Sequence, residues 1–297
     1  MLWAAGCRAL SCYTPRRSAC PEFPMHPMVN MALRAARDAG EFIVRAGDRL
    51  DLVSVDRKGA NDFVTEVDRQ AEQRIVAQLH KAYPDHAITA EESGNAFSAR
   101  NDCEFEWLID PLDGTTNFIH GIPHYAVSIA CLHRGRLEHA VIVDPLRREE
   151  FTASRGSGAQ LNGRRIRVSG RPNLDEALLG TGIPFRAHQH GQLDAYTMTL
   201  KELAGQCAGI RRAGAASLDL AYVAAGRLDG FWEIGLSAWD IAAGALLILE
   251  AGGLVCDIDG GHDYLRSGHV VAANPKCLKP VLQVVRPRLG ALQRSGG

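Results

Sequence analysis

The chain has 297 residues, enough for one large domain or two smaller ones, and its 33 Lys and Arg residues nearly balance 34 Asp and Glu residues. This balance gives no electrostatic argument for a nucleic-acid-binding protein, and 46% hydrophobic residues with 30 glycines exclude a disordered chain and suit a compact enzyme. No apolar run approaches the roughly 20 residues that cross a bilayer, which predicts a soluble protein.

The first 24 residues differ in character from the rest of the chain. They are rich in Cys, Pro and Arg, show no hydrophobic period and lack the continuous apolar core of a cleaved signal peptide. We interpret residues 1–24 as a disordered extension, with the working protein beginning near Met25 or Met28. Because no C-x-x-C pair occurs in the chain, we interpret its eight cysteines as reduced thiols of a cytoplasmic protein.

Hydrophobic periodicity predicts helices and an antiparallel sheet in residues 25–172. Apolar residues recur at helical spacing from Pro27 to about Leu50, and again from Val67 until Pro84 ends the pattern. Strands are predicted at 87–90, 105–109, 125–132, 137–144 and 149–153. We therefore assign this segment to an N-terminal α+β half.

Residues 173–297 alternate strands and helices and form a C-terminal α/β half beyond a soft boundary near residue 173. Strands are predicted at 177–181, 209–212, 231–234, 255–258 and 270–273. Helices are predicted at 193–207, 217–226, 241–250 and 280–292. Small residues in the apolar helix 241–250 permit close packing.

Two carboxylates, Asp110 and Asp113, stand where the strand 105–109 ends and a turn begins. Pro111 fixes one backbone angle, and Gly114 lets the backbone approach a ligand closely. A helix that starts after this turn would add N–H groups that can hold a phosphate. By itself, however, D-P-x-D-G is equally consistent with an ordinary turn.

Two further carboxylates occupy similar positions. Glu91 follows the strand 87–90, and Asp240 precedes the helix 241–250, where it can also serve as an N-cap. Four carboxylates brought together cannot all stay ionised unaided, because like charges raise one another's pKa. Divalent cations remove that penalty, and ligation by oxygen alone favours Mg²⁺ or Mn²⁺. Two such ions about 4 Å apart, with the Thr115 hydroxyl to orient a water, suit phosphate monoester hydrolysis.

Three separated motifs resemble the inositol monophosphatase family: D-P-L-D-G-T-T-N-F at 110–118, A-E-E-S at 90–93 and W-D-I-A-A-G-A at 239–245. The resemblance extends from about Met25 to Leu289, and the opening Met25-His26-Pro27-Met28 is similar to the start of bacterial SuhB-like members. It implies an α+β fold, the layered αβαβα sandwich shared with fructose-1,6-bisphosphatases. It also implies a lithium-sensitive homodimer.

The resemblance further implies a role for each motif residue. Glu91, Asp110 and the Leu112 carbonyl would hold the first Mg²⁺, and Asp110, Asp113 and Asp240 the second, with two or three Mg²⁺ per subunit and Mn²⁺ as a substitute. Thr115, assisted by Glu91, would orient the nucleophilic water, and no phosphoenzyme would form. The implied substrate-binding residues are Asp110, Leu112, Asp113, Gly114, Thr115, Arg211, Gly214, Ala215, Ala216, Glu233 and Asp240.

Residues outside the first contact layer are implied as well. Lys58, Asp62 and Asp68 would support the site from behind its ligands, although simple surface or capping roles explain them equally well.

Three functions remain open from sequence. The first is hydrolysis of myo-inositol 1-phosphate and related monoesters to free polyol and phosphate. The second is the same chemistry on histidinol phosphate, a bisphosphorylated nucleotide or fructose bisphosphate, because family motifs specify metal chemistry better than substrate. The third is an RNA-associated or transcription-associated role, to which Arg164-Arg165 and Arg211-Arg212 could contribute, although solvated surface charge explains those pairs too.

Overall fold

The structure, a computed structural model, describes residues 25–50, 55–59, 62–97, 103–184 and 187–293. The predicted extension, residues 1–24, lies outside the described residues. Within the described ranges, no helix combines the length and apolar character that a membrane span requires. The five cysteines in these ranges are free thiols.

An eight-stranded sheet dominates the N-terminal part. Its helices are α1 (Pro27–Gly47), α2 (Glu66–Ala82) and the short α3 (Thr115–Ile119). Its strands are β1 (Val55–Gly59), β2 (Asp62–Thr65), β3 (Ala87–Ala90), β4 (Gly94–Phe97), β5 (Phe105–Asp113), β6 (Ala126–His133), β7 (Arg136–Asp144), β8 (Glu149–Ser154), β9 (Gly158–Leu161) and β10 (Arg164–Arg165). β1 and β2 form a separate hairpin, and the sheet runs in the order β10-β9-β8-β7-β6-β5-β3-β4.

A five-stranded sheet, in the order β12-β11-β13-β15-β14, organises the C-terminal part. The strands are β11 (Leu178–Thr181), β12 (Gly209–Arg211), β13 (Gly230–Glu233), β14 (Leu254–Cys256) and β15 (Val270–Ala273). The helices are α4 (Leu193–Ala204), α5 (Ala216–Ala224), α6 (Ala238–Glu250), α7 (Tyr264–Ser267) and α8 (Leu278–Gln293), and a 3₁₀ helix covers Ala187–Gln192.

The helices and the two sheets form five layers. The buried faces of α1 and α2 pack on one side of the eight-stranded sheet. The apolar α5 and α6 fill the space between the two sheets, and α4 and α8 cover the far side of the five-stranded sheet. The predicted α+β fold, a layered αβαβα sandwich, is confirmed. The middle layer also confirms the expected close packing, because a Cβ added at Gly244 of α6 would lie only 2.4 Å from the Leu220 Cβ of α5.

The register of two strands brings the predicted motifs together. β3 is parallel to β5, and Ala90 lies opposite Ile109. The next residues, Glu91 and Asp110, therefore lie side by side at the same edge of the sheet. Parallel pairing is the exception in this sheet, since its other pairs are antiparallel.

Short elements differ from the sequence-based expectation. The β1–β2 hairpin, which contains Lys58 and Asp62, was not predicted, and neither were β4, β10 and α7. These elements have two to five residues, too few to show a hydrophobic period. The helix predicted to begin at Ile241 starts at Ala238, because Ser237 provides its N-cap.

Candidate active site

A cleft opens where the ends of β3, β5 and β13 meet the N-termini of α5 and α6. Its empty volume is about 930 Å³, including the open mouth. Eleven of the residues that the sequence assigned to metal or substrate line it: Glu91, Asp110, Leu112, Asp113, Gly114, Thr115, Gly214, Ala215, Ala216, Glu233 and Asp240. The fold thus brings together motifs that are as much as 149 positions apart (240 − 91).

Asp110 is the most deeply buried of the four carboxylates Glu91, Asp110, Asp113 and Asp240. It is 2% exposed, and its Oδ1 accepts a hydrogen bond of 3.1 Å from the Leu112 N–H. Burial raises the pKa of Asp110 well above its ordinary value, and the charges of Glu91, Asp113 and Asp240 raise it further. Its side chain also hydrogen-bonds to Glu91. Two carboxyl groups can share such a bond only when a proton lies between them. A divalent cation could occupy the position of that proton.

Asp113 caps a helix from another part of the chain. Its Oδ1 accepts the Ala216 N–H at 3.3 Å, and its Oδ2 accepts the Ser217 N–H at 2.7 Å and the Ser217 hydroxyl at 2.5 Å. Burial raises the pKa of Asp113 to about 6, although the hydrogen bonds from Ser217 lower it. The sequence analysis missed Ser217. The available signal was that α5 begins after Ala215, which has no side chain to cap it.

Asp240 belongs to a capping box rather than to the N-cap itself. Ser237 is the N-cap of α6, and the Ser237 N–H donates a 2.7 Å hydrogen bond to Asp240 Oδ2. This corrects the N-cap alternative for Asp240, because the helix begins three residues earlier than its apolar run. The Asp240 side chain therefore does two things: it caps the helix α6, and it lines the cleft.

The Thr115 hydroxyl is held by a buried carboxylate. Thr115 Oγ1 lies 2.8 Å from Asp68 Oδ1 and 3.1 Å from the Leu112 carbonyl. Asp68 is 1% exposed, and its Oδ2 accepts the Thr65 N–H at 2.8 Å and the Thr65 hydroxyl at 2.5 Å. A hydroxyl that donates its single hydrogen to Asp68 keeps its lone pairs available to accept a hydrogen from water. Asp68 therefore lies directly behind Thr115, and its support of the site stays a prediction.

Glu72 is a supporting residue that the sequence analysis missed. Its carboxylate is 3% exposed and accepts the Glu92 N–H at 2.7 Å and the Ser93 N–H at 2.9 Å. It follows Asp68 by one turn of α2 and so lies on the same face of that helix. One rigid helix thereby fixes both Thr115 and the turn that carries Glu91. An acidic residue on the otherwise apolar, buried face of α2 was the signal.

We expect Glu72→Gln to weaken the binding of Mg²⁺ in the cleft. The amide NH₂ would face a backbone N–H, and losing one hydrogen bond costs about 1 kcal/mol, or about fivefold in affinity. Activity measured against Mg²⁺ concentration should show a half-maximal point raised by about that factor. Glu106→Gln is the matched control, because Glu106 accepts only the Thr89 hydroxyl and does not line the cleft. An unchanged Mg²⁺ response in Glu72→Gln would contradict this role.

Glycines shape the walls of the cleft at two places. Gly114 has a φ of +96°, and a Cβ there would lie 3.0 Å from the His124 carbonyl oxygen. Gly182 faces Glu233, since a Cβ there would lie 1.8 Å from Glu233 Oε1. The Glu233 carboxylate therefore occupies the space that a side chain at position 182 would fill.

Arg212, rather than Arg211, lines the cleft. Arg211 is exposed and donates a 3.2 Å hydrogen bond to the carbonyl of its neighbour Ile210, away from the predicted substrate position. The Arg212 side chain lies next to Gly214, because a Cβ added at Gly214 would be 2.8 Å from Arg212 Nη1. Arg211 is the last residue of β12, and the chain leaves the strand at Arg212, which lines the cleft. The substrate contact predicted for Arg211 stays a prediction.

Two predicted supporting residues cannot be placed by their side chains. Lys58 lies in β1 and Asp62 in β2, but their side chains fall outside the described residues. Their predicted support of the site stays a prediction.

The donor set suits a hard cation that keeps part of its water. The four carboxylates offer oxygen atoms only, which is the ligand type that Mg²⁺ prefers. In the described part of the chain, no three acidic, His or Cys side chains are already arranged as an ion cage. Hydrogen bonds from Ala216 and Ser217 fix both oxygens of Asp113, and one from Ser237 fixes one oxygen of Asp240, so the protein orients both carboxylates.

Comparison with known proteins gives consistent results over the whole described fold. The profile of the inositol monophosphatase family matches residues 25–288. The chain is 64% identical over 265 residues to "Nus factor SuhB" of Pseudomonas aeruginosa, covering 89% of this chain and 98% of that protein. It is 52% identical over 271 residues to "Nus factor SuhB" of Escherichia coli K12, covering 91% of this chain and all of that protein (100%).

Solved structures agree with the fold. The extragenic suppressor protein SuhB of Bartonella henselae superposes with a TM-score of 0.84 at 42% identity, covering 88% of this chain and 99% of that one. The IMPase of Thermotoga maritima gives a TM-score of 0.80 at 33% identity, covering 90% of this chain and 100% of that one.

Proposed function

Because the chain belongs to the inositol monophosphatase family, we propose that it is a Mg²⁺-dependent phosphatase that hydrolyses myo-inositol 1-phosphate and related phosphate monoesters. The observation that carries the proposal is the crowding of Asp110 by three other acidic side chains in one cleft, with a hydrogen bond between Asp110 and Glu91. Such an arrangement is costly unless cations neutralise it.

The acidic residues divide into two ligand groups. Glu91, Asp110 and the Leu112 carbonyl would hold one Mg²⁺, and Asp110, Asp113 and Asp240 would hold the other. When bound, the pair of ions lowers the pKa of a water and stabilises the charge that develops on phosphate and on the leaving oxygen. Mn²⁺ is the expected substitute, because it accepts the same oxygen ligands.

The remaining residues position water and substrate. Thr115, with its hydrogen given to Asp68, accepts a hydrogen bond from the nucleophilic water, which Glu91 also contacts. Gly114 and Thr115 present backbone N–H groups to the phosphate. Glu233, Arg212 and the segment 214–216 line the part of the cleft that is left for the alcohol. Direct attack by water needs no covalent phosphoenzyme.

Phosphate release from a panel of monophosphates tests the proposal. The panel contains myo-inositol 1-phosphate, histidinol phosphate, a bisphosphorylated nucleotide and fructose bisphosphate, each with and without Mg²⁺ and with added Li⁺. We expect Mg²⁺-dependent, Li⁺-inhibited release that is fastest from myo-inositol 1-phosphate. Faster turnover of another compound would replace the substrate, and no Mg²⁺-dependent release from any compound would refute the enzyme class. The chain is also proposed to be a cytoplasmic homodimer.

A second, non-enzymatic role rests on a different observation. The relatives with 64% and 52% identity carry the name "Nus factor", which links those proteins to transcription. We propose association with RNA or a transcription complex as an additional role of this chain. Arg164 and Arg211 are exposed and available for such contacts. Salt-dependent RNA binding by the purified protein, lost in Arg164→Glu/Arg211→Glu, would support the role, and no binding at low salt would count against it.

A further inference from the structure

Asp219 is a buried carboxylate that neither the predicted metal groups nor the helix caps use. It lies in α5, is 2% exposed and lines the cleft. Its neighbours Leu218, Leu220 and Ala221 are all buried and apolar. A leucine of similar size would suit this position in the middle layer far better if packing were the only requirement.

Among the described residues, charged neighbours but no hydrogen-bond donor act on the Asp219 carboxyl group, which lines the cleft. Other buried aspartates of this fold do accept hydrogen bonds. Asp229, for example, accepts the Ser169 hydroxyl at 2.5 Å and the Leu178 N–H at 2.7 Å. A buried polar group without a protein partner lowers stability unless water or a ligand supplies the hydrogen bond. The Asp219 carboxyl group can therefore accept a hydrogen bond from a donor that the described residues do not supply.

The charges around Asp219 place it at the alcohol end of the cleft. Burial raises the pKa of Asp219 well above its ordinary value, the charges of Glu233 and Asp113 raise it further, and Arg212 lowers it. Glu233 and Arg212 are the residues that line the alcohol end. Asp219 lies in the first turn of α5, where the helix dipole favours a negative charge, but the Ala216 and Ser217 N–H groups at that end donate to Asp113 and not to Asp219.

We propose that Asp219 is a specificity-determining residue that accepts a hydrogen bond from a donor on the alcohol part of the substrate. The donor is a ring hydroxyl in a polyol phosphate or an ammonium group in an amino-alcohol phosphate. This inference rests on the proposed phosphatase function and refines its substrate class. It predicts that the enzyme prefers phosphate esters that carry such a donor over esters of the same shape that lack one.

Two matched substrate pairs test the proposal. The first is myo-inositol 1-phosphate against cyclohexyl phosphate, the same ring without hydroxyls. The second is O-phosphoethanolamine against ethyl phosphate, which lacks the ammonium group. For each pair, the quantity measured is the ratio of the two kcat/KM values. Asp219→Ala should lower that ratio about 10- to 100-fold in at least one pair, and the affected pair identifies the donor. Asp219→Asn, which keeps one acceptor, should lower it less.

The melting temperature is a second measurement. It should rise when Asp219 is replaced, whereas it would fall if Asp219 had only a structural role. Asp219→Asn should raise the melting temperature of the free protein by about 2–4 °C, because it removes a buried carboxylate without a donor. Asp229→Asn is the control, and it should lower the melting temperature while leaving the substrate ratios unchanged.

The outcomes separate this inference from the proposed function. Wild-type protein that releases no phosphate from any ester refutes the phosphatase proposal itself. If the wild type is active but Asp219→Ala and Asp219→Asn leave both ratios unchanged, or lower both members of each pair equally, then Asp219 does not determine specificity.

Discussion

Asp110→Asn is expected to lower kcat/KM for phosphate release by about 10²- to 10³-fold at saturating Mg²⁺. Asp110 is the one side chain assigned to both ions, and the substitution exchanges a charged oxygen ligand for an NH₂ group. Steady-state phosphate release across a range of Mg²⁺ concentrations measures the effect.

The expected loss arises at the metals and not in the fold. Removing a buried charge that is crowded by three others should leave the melting temperature of the free protein equal or higher. Asp257→Asn is the control, because Asp257 is similarly buried and accepts the Gly261 N–H at 2.7 Å far from the cleft lining. Full activity in Asp110→Asn would contradict the metal assignment.

Thr115→Val is expected to lower kcat about 100-fold while the Mg²⁺ concentration for half-maximal activity stays within about threefold. Valine keeps the shape of the side chain but removes the hydroxyl that lies 2.8 Å from Asp68. Thr115 is proposed to orient the nucleophilic water and not to bind metal. The substitution should therefore slow the chemical step and leave the affinity for Mg²⁺ nearly unchanged. Separate titrations of substrate and of Mg²⁺ distinguish the two.

The conservative variant Thr115→Ser should retain most of the activity, since it keeps the hydroxyl. Thr197→Val, which removes an exposed hydroxyl bonded only to the Leu193 carbonyl of its own helix, should behave as wild type. A loss in Thr115→Ser as large as that in Thr115→Val would show that the methyl group, and not the hydroxyl, is what the site requires.

Much of the site could be predicted because its ligands lie in motifs that are local in sequence. Glu91 and Asp110 each follow a strand, and parallel pairing of β3 with β5 brings them side by side. The family resemblance supplied the layered fold and the order of the motifs, and both the fold and the family are confirmed. The roles of the individual residues stay predictions that the variants above test.

The residues that were missed act across long sequence distances. Ser217 meets Asp113 and Glu72 meets the turn after Glu91 only because separate elements pack together. Asp219 lies in an apolar helix where local pattern gives no hint that its carboxyl group faces a cleft. Arg211 was proposed from the family resemblance, whereas Arg212, the first residue after the short strand β12, lines the cleft; sequence alone does not show which of two adjacent arginines faces a cleft.

The central claim is that these carboxylates hold two adjacent divalent ions, and Mn²⁺ electron paramagnetic resonance tests it most directly. Titration of the metal-free protein in the presence of inorganic phosphate should reveal at least two Mn²⁺ per chain. Their spectrum should show the spin coupling of ions about 4 Å apart. Asp113→Asn should remove the coupling and leave a single-ion signal. A wild-type spectrum of isolated, uncoupled Mn²⁺, or no bound Mn²⁺ at all, would contradict the account.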